Sequence, residues 1–306
     1  MKKLILLLFV LISLPTWSSE LIKIQTPYTA SHSGTPGMLR IIEQANKSQS
    51  DYTFILEFRP GGNQIIAVKQ MDVSPNNNLA IIAASFVENV ESRQLRQYDY
   101  VPVYSLGDAC WAVLSTSSNG TAGIASLKNT PELIVGTVGF GNATHLTSLL
   151  IGEKFNIPVK LVPFKSNYDA VVNMVGNNGV NFGIDKPEVY ENFKDKNKNM
   201  RMLAVSCSKR FADYPNVLTL KEQGITAPSV LNIVVANIQM PKDKRIKLGE
   251  ILTKATTDIG EIEIKKISGF VPPQFIGITA QQHFDQSISL IKDLRQKFNK
   301  EIVIAK

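Results

Sequence analysis

Short β-rich runs recur along this chain, and helical patterns separate most of them. The runs are Leu21–Thr26, Tyr52–Phe58, Leu79–Ala83, Val101–Tyr104, Trp111–Ser115, Ile134–Val138, Val159–Pro163, Val180–Ile184, Met202–Ser206 and Asn232–Ala236. Apolar residues at helical spacing mark Met38–Lys47, His145–Phe155, Tyr168–Gly176 and Pro187–Phe193. Such alternation predicts parallel sheets covered by helices, because a parallel pair of strands needs a crossover connection. The last quarter is different. Lys242–Ile259 and Ala280–Lys300 read as long amphipathic helices that can pack back on the first half. A chain of 306 residues has room for two α/β units.

The N-terminus bounds the compartment. Lys2 and Lys3 precede an apolar run from Leu4 to Leu14, Pro15 ends it, and Thr16-Trp17-Ser18 offers small residues before a cut. This is the pattern of a secretory signal peptide over residues 1–18, cleaved near Ser18, and it predicts a soluble exported protein in the periplasm. The run is too short for an ordinary membrane span. The formal charge of +7 falls to +5 once Lys2 and Lys3 are removed. The basic residues are dispersed, apart from Lys194–Lys198 and Lys242–Lys247, and form no stripe interleaved with aromatics. Nucleic acid is therefore not an expected partner. Cys110 and Cys207 are far apart; an oxidising compartment permits a disulfide, and two buried thiols fit equally well. With no C-x-x-C and only His32, His145 and His283 scattered along the chain, no metal site is expected.

Glycine and proline cluster after three of the predicted strands. Thr26–Gly37 joins the first strand to the first helix, Arg59-Pro60-Gly61-Gly62-Asn63 follows the second strand, and Gly139–Thr144 follows Leu133–Val138. In open α/β sheets ligands sit at the carboxyl ends of strands. The first N–H groups of a helix lack intrahelical partners and face the positive end of its dipole, so Gly139–Thr144 makes a small anion cradle. Asn142 or Thr144 can cap that helix or donate to a ligand, and local chemistry leaves both roles open. Gly139-x-Gly141-x-x-Thr144 approaches the dinucleotide fingerprint. Its third glycine is replaced, however, and no acidic residue follows Val159–Pro163, so no cofactor is expected.

Several stretches, in order, resemble the substrate-binding proteins of tripartite tricarboxylate transporters, also called Bug receptors. Tyr28–Arg40 is similar to the family's proline and Gly-Gly-x-Thr-Asp loop before a helix. Arg59–Asn63 resembles its R-P-G-x-G-G-N, Gly141–Leu146 its G-x-x-S-H-L, and Val162–Lys165 its V-P-Y-K. Asn181–Asp185 resembles D-x-x-F-D, and Leu203–Ser206, Arg210, Pro215–Val217 and Glu222–Gly224 resemble the closing block. The departures are that Pro36 stands where the family has aspartate, His32 and Ser33 stand where it has paired glycines, and Gln64-Ile65 replaces Ile-Gly.

The resemblance implies a periplasmic-binding-protein type II fold (a Venus flytrap) with two α/β lobes and a ligand cleft between them. Residues 19–110 and 234–306 would form one lobe and 111–233 the other, with crossings near Cys110–Ser115 and Asn232–Ala236. It implies a monomeric, non-enzymatic receptor without cofactor. Such a receptor binds a small organic acid and delivers it, in transient contact, to transporter membrane subunits. The ligand residues it implies are Tyr28, Ser33, Thr35, Gly62, Asn63, Gly139, Phe140, Asn142, Thr144 and Asp185. The rival readings are a sensor for a signalling partner and an exported hydrolase, though no G-x-S-x-G elbow is present.

Individual residues carry two readings. His32 is either a donor or an exposed loop residue, His145 is expected to pack, and His283 is expected at the surface. Arg59, before a proline at a strand end, is expected in a structural ion pair. Asp185 would repel a carboxylate, so support of the loop and ligand contact are equally open. Tyr28 and Phe140 are expected to wall the cleft.

Overall fold

The computed structural model describes residues 19–304 apart from 31–33, 62–63, 84–85, 87–99, 110, 118–122, 138, 165, 208, 212, 229, 269 and 272–277. The chain forms two mixed α/β sheets. The first is built from β1 (Glu20–Thr26), β2 (Tyr52–Phe58), β3 (Asn78–Ala83), β4 (Tyr100–Ala109), β10 (Val230–Asn237) and β11 (Phe270–Val271), in the order β11-β4-β10-β3-β1-β2. The second contains β5 (Ala112–Ser115), β6 (Leu133–Thr137), β7 (Val159–Pro163), β8 (Phe182–Asp185) and β9 (Arg201–Val205), in the order β7-β6-β8-β5-β9.

The sheets are not wholly parallel, as the alternation predicts. β10 runs against β3 and β4, and β5 runs against β8 and β9. The reason is topological. β4 ends at Ala109 on the edge where β1 and β3 also end, and the chain crosses at once to Ala112, which opens β5 opposite Asp185 and Val205. It returns after β9 and enters the first sheet at Val230, opposite Ala109. That entry is ahead of position 234, the boundary expected from the sequence. Both crossings join the carboxyl edges of the two sheets, so the strand-end loops of both lie on the edges that the crossings tie together.

Helices cover both faces. α1 (Thr35–Ser48) and α6 (Lys242–Ile259) bury Met38, Ile41, Leu248 and Leu252 against Ile22 and Ile24. On the opposite face α2 (Ile65–Val73) and α8 (Ala280–Lys297) pack Val68, Ile288, Ile291 and Leu294 on Ile82, Ile233 and Val235. The second sheet lies between α3 (Ala143–Phe155) and α4 (Asn167–Val175). Ile151 joins Val113, Val135 and Phe182, while Val171 and Met174 join Ala112, Leu114 and Val205. The short α5 (Pro187–Phe193), α7 (Glu261–Ser268) and α9 (Asn299–Ile304) complete the described helices. Among the described residues, no helix is long and apolar enough to cross a membrane.

Three expectations change here. β4 extends to Ala109, past the run Val101–Tyr104, because Ser105 and Gly107 interrupt the apolar pattern without ending the pairing with β10. His283 is buried rather than at the surface, its Nδ1 lying 2.8 Å from Ser105 Oγ on β4. Cys207 is disulfide-bonded and so is not a buried free thiol; Cys110 lies outside the described residues.

Close packing of α6 on β4 yields a test. A methyl at Gly249 would stand 2.5 Å from the Val103 carbonyl oxygen, a backbone atom that cannot rotate away. Gly249→Ala should therefore lower unfolding free energy by about 1–3 kcal/mol in urea titration, despite alanine's better helix propensity. An unchanged or higher midpoint would contradict this packing.

Candidate functional site

The second sheet's carboxyl edge collects the ends of β6, β7, β8 and β9 and the start of β5. Thr137 lies opposite Pro163, and Ala112 lies opposite both Asp185 and Val205. The turn from β6 into α3 sits on this edge. Gly141 adopts φ +71°, the left-handed region that glycine tolerates. Asn142 is the N-cap of α3: its Oδ1 accepts from the His145 N–H at 2.9 Å. Its side chain also lies 3.2–3.3 Å from Thr137 Oγ1, which ties the cap to the strand. His145 folds back, and its Nδ1 accepts the Gly141 N–H at 2.8 Å. That bond fixes the neutral ring with its proton on Nε2. Phe140 meets the same ring edge-on, with centroids 6.3 Å apart.

Two of the turn's donors are thereby used internally, at Gly141 and at His145. The N–H groups of Ala143 and Thr144, at the first two helical positions, have no intrahelical acceptor. Thr144 is 5 % exposed, and with Ala143 and Thr147 it lines a shallow recess with a volume of about 10 Å³. Trp111, Val113, Ile184, Ser206, Leu220 and Pro228 complete the lining. Ser206 Oγ accepts the Trp111 N–H at 2.9 Å, whereas the indole Nε1 is buried without a partner.

Asp185 ends β8 on the same edge. Its pairing with Ala112 puts its side chain on the α4 face, away from the recess beside Ile184. Oδ1 accepts the Lys186 N–H at 2.7 Å, and Oδ2 is buried and unpartnered. Burial pushes its carboxyl up to about 6, against the pull of the Lys186 N–H and ammonium. Asn167 Oδ1, at the start of α4, is a second orphaned acceptor.

On the first sheet's edge, Tyr28 donates its hydroxyl to Asn232 Oδ1 on β10, and burial raises its phenol well above the usual range. Its ring packs partly on the first core. Thr35 Oγ1 donates to the Thr29 carbonyl at 3.0 Å and closes the first loop, with its lone pairs left to accept. Arg59 pairs with Glu57 at 3.1 Å, and Glu57 also takes Lys23 at 3.0 Å. The structural reading of Arg59 therefore stands. Gln64, at φ +74°, accepts the Ala83 N–H at 2.7 Å and pins the turn before α2. Ser33, Gly62 and Asn63, with His32, lie outside the described residues.

Gly139, Phe140, Asn142, Thr144 and Asp185 thus gather on one sheet edge, and Tyr28 and Thr35 lie on the other sheet. Sequence patterns did not mark Trp111, Thr147 or Ser206 as lining groups. Each lies in a strand or helix pattern that packing alone explains, and only the unpartnered indole distinguishes Trp111. Nor does any local signal reveal Arg295 of α8, whose guanidinium lies against Gly141.

His145 and Asp185 bias stability with pH in opposite directions. Burial, and secondarily Arg295, lowers His145 to about 4. Below its ordinary 6.5 the unfolded chain takes up the proton first, so this stability is complete above 6.5 and is lost as pH falls toward 4. Asp185 is raised from 3.8 to about 6, so its folded form keeps a proton that the unfolded chain releases, and stability is lost as pH rises through this window. Each shift corresponds to on the order of 3 kcal/mol. His145→Asn, which keeps an acceptor for Gly141, should flatten the loss below pH 6. Asp185→Asn, which keeps the bond to Lys186, should be more stable than the parent at pH 7 and gain little at pH 4. Urea titrations at pH 4, 5.5 and 7 check both; parallel pH profiles for parent and variants would contradict these assignments.

Comparisons with known proteins bear on the family and the fold. The family model described as "Tripartite tricarboxylate transporter family receptor" matches residues 38–265. A UPF0065 protein of Bordetella bronchiseptica is 23 % identical over 302 residues, covering 93 % of this chain and 85 % of that one. Two solved structures from Rhodopseudomonas palustris share the fold. One is the protein MatC with bound malate, at TM-score 0.69 and 16 % identity, covering 92 % of this chain and 99 % of that one. The other was solved with adipate, at TM-score 0.69 and 19 % identity, covering 92 % and 97 %.

Proposed function

The chain belongs to the family of tripartite tricarboxylate transporter receptors, and we propose that it captures a small organic acid at the facing carboxyl edges of its two sheets. The observation that carries this reading is the turn into α3. Asn142 and His145 occupy its internal donors and acceptors, which leaves the Ala143 and Thr144 N–H groups and the Thr144 hydroxyl for an anion. The malate and adipate of the two structural neighbours are both dicarboxylates, which supports a carboxylate ligand here. The net charge of +5 after loss of the leader favours steering of an anion. Tyr28, Asn232 and the first-sheet loops form the opposing wall. Asp185, with its raised affinity for a proton, serves as support or as acceptor for a ligand hydroxyl or amino group rather than as partner to a carboxylate.

The two sheets with their helices act as lobes joined by the crossings at 109–112 and 205–230, and they close on the ligand by hinge motion. The leader over residues 1–18 exports the chain to the periplasm, where the loaded monomer meets the membrane subunits of a tripartite transporter.

Two measurements test this. In a thermal-shift screen pairing each acid with its amide, acids should raise the melting temperature and amides should not. Equal shifts would sink the carboxylate reading. Calorimetry on Thr144→Val with the best acid should show a loss of about 1–3 kcal/mol in binding, because the ligand loses a partner in a desolvated site. Full affinity would move the ligand away from this helix.

A further inference from the structure

We propose that Arg295, on the last long helix, is a positioning residue that holds the Gly139–Thr144 turn in its ligand-receiving shape from an anchor on the first lobe; this rests on the turn being part of the ligand site. Arg295 lies beyond residues 38–265, the span that the family model matches. Its Nη2, Cζ and Nε stand 3.1, 3.2 and 3.3 Å from where a Cβ on Gly141 would be, so the guanidinium covers the backbone of the glycine at φ +71°. Gly141 is also the residue whose N–H is held by His145 Nδ1. The cation therefore lies against the donor end of the bond that folds the turn back on its helix, and near enough to the acceptor end to disfavour a charge on His145.

The helix carrying Arg295 is fixed at both lobes. At its start, Thr279 and Gln282 form a capping box. One turn on, His283 is buried on Ser105 of β4. Ile288, Ile291 and Leu294 pack with Ile233 and Val235 of the first sheet and with Leu146 and Leu149 of α3 in one continuous core. Past Arg295, Lys297 pairs with Glu153 of α3 at 2.5 Å. α8 is thus a strut from β4 to the ligand turn, and Arg295 stands at its contact with that turn. The positive charge has a second effect. It joins burial in disfavouring the imidazolium of His145, which keeps Nδ1 an acceptor. Lys297 and Glu153, on the same α3–α8 contact, pair with each other.

The test uses the full mature chain labelled with ¹⁵N. Arg295→Met keeps length and helix propensity and removes the charge and the planar fork; Arg295→Lys restores the charge. Circular dichroism verifies the fold of each. In the parent the His145 ring should stay neutral, protonated on Nε2, down to about 4. In Arg295→Met its midpoint should move toward 6.5 and the Gly141 amide should exchange faster, while Arg295→Lys should keep the low midpoint. Affinity for the acid giving the largest thermal shift should fall in Arg295→Met by roughly five- to a hundredfold, because misplaced donors leave the anion poorly partnered. A Met variant with the parental His145 midpoint and Gly141 exchange would overturn the proposal, and so would parental affinity in a variant whose turn has loosened. If no acid in the panel binds the parent, the carboxylate reading fails on its own, and the two spectroscopic readouts still decide what Arg295 does to the turn.

Discussion

Strand β10 lies antiparallel between β3 and β4, and the rest of the molecule depends on that pairing. Its register, Asn232 opposite Ala83 and Val230 opposite Ala109, brings the chain back from the second sheet at the edge from which it left. Because both passages run from carboxyl edge to carboxyl edge, the loops that follow the parallel strands of each sheet gather beside the crossings. A backbone ladder buried on both faces by Ile233, Val234 and Val235 holds this arrangement. Asn232 also receives the Tyr28 hydroxyl, which ties the first loop to the return strand.

At the second edge the physics is one of allocation. A helix start offers more N–H groups than its own carbonyls can satisfy. Here the Asn142 side chain takes the N–H of His145, and the His145 ring takes the N–H of Gly141. The donors left over are adjacent, on Ala143 and Thr144, which line a recess with Trp111, whose indole N–H has no partner among the described residues. Buried polar groups normally find partners, so this concentration at one sheet edge supports the proposal of a ligand there. The neutral state of His145 is part of that arrangement, since a protonated ring would lose the bond to Gly141.

The local parts of this account are legible in the sequence. The run Leu133–Val138, the glycines after it and the cap at Asn142 announce a strand, a turn and a helix, because turn and capping chemistry act over a few residues. Helix α6 reads correctly from Lys242 to Ile259 because its apolar face is regular and Gly260 ends it at φ +91°. What the sequence hides is set by contacts between distant elements. Nothing local shows that the Thr35 hydroxyl closes its loop onto the Thr29 carbonyl. His283 looks like a surface residue on an amphipathic helix until Ser105 of β4 turns up beside it. Arg295 has no local mark at all, since the glycine it covers is on another lobe's turn.

The central claim is that an organic acid lies between the two sheet edges with a carboxylate on the N-terminus of α3. A crystal structure of the chain with the acid that most raises its melting temperature tests this directly. The account requires carboxylate oxygens within hydrogen-bond distance, about 2.7–3.2 Å, of the Ala143 or Thr144 N–H groups, and a contact from the first-sheet wall at Tyr28 on the same molecule. An acid bound with no atom near that helix start, or held by one lobe alone, would contradict it.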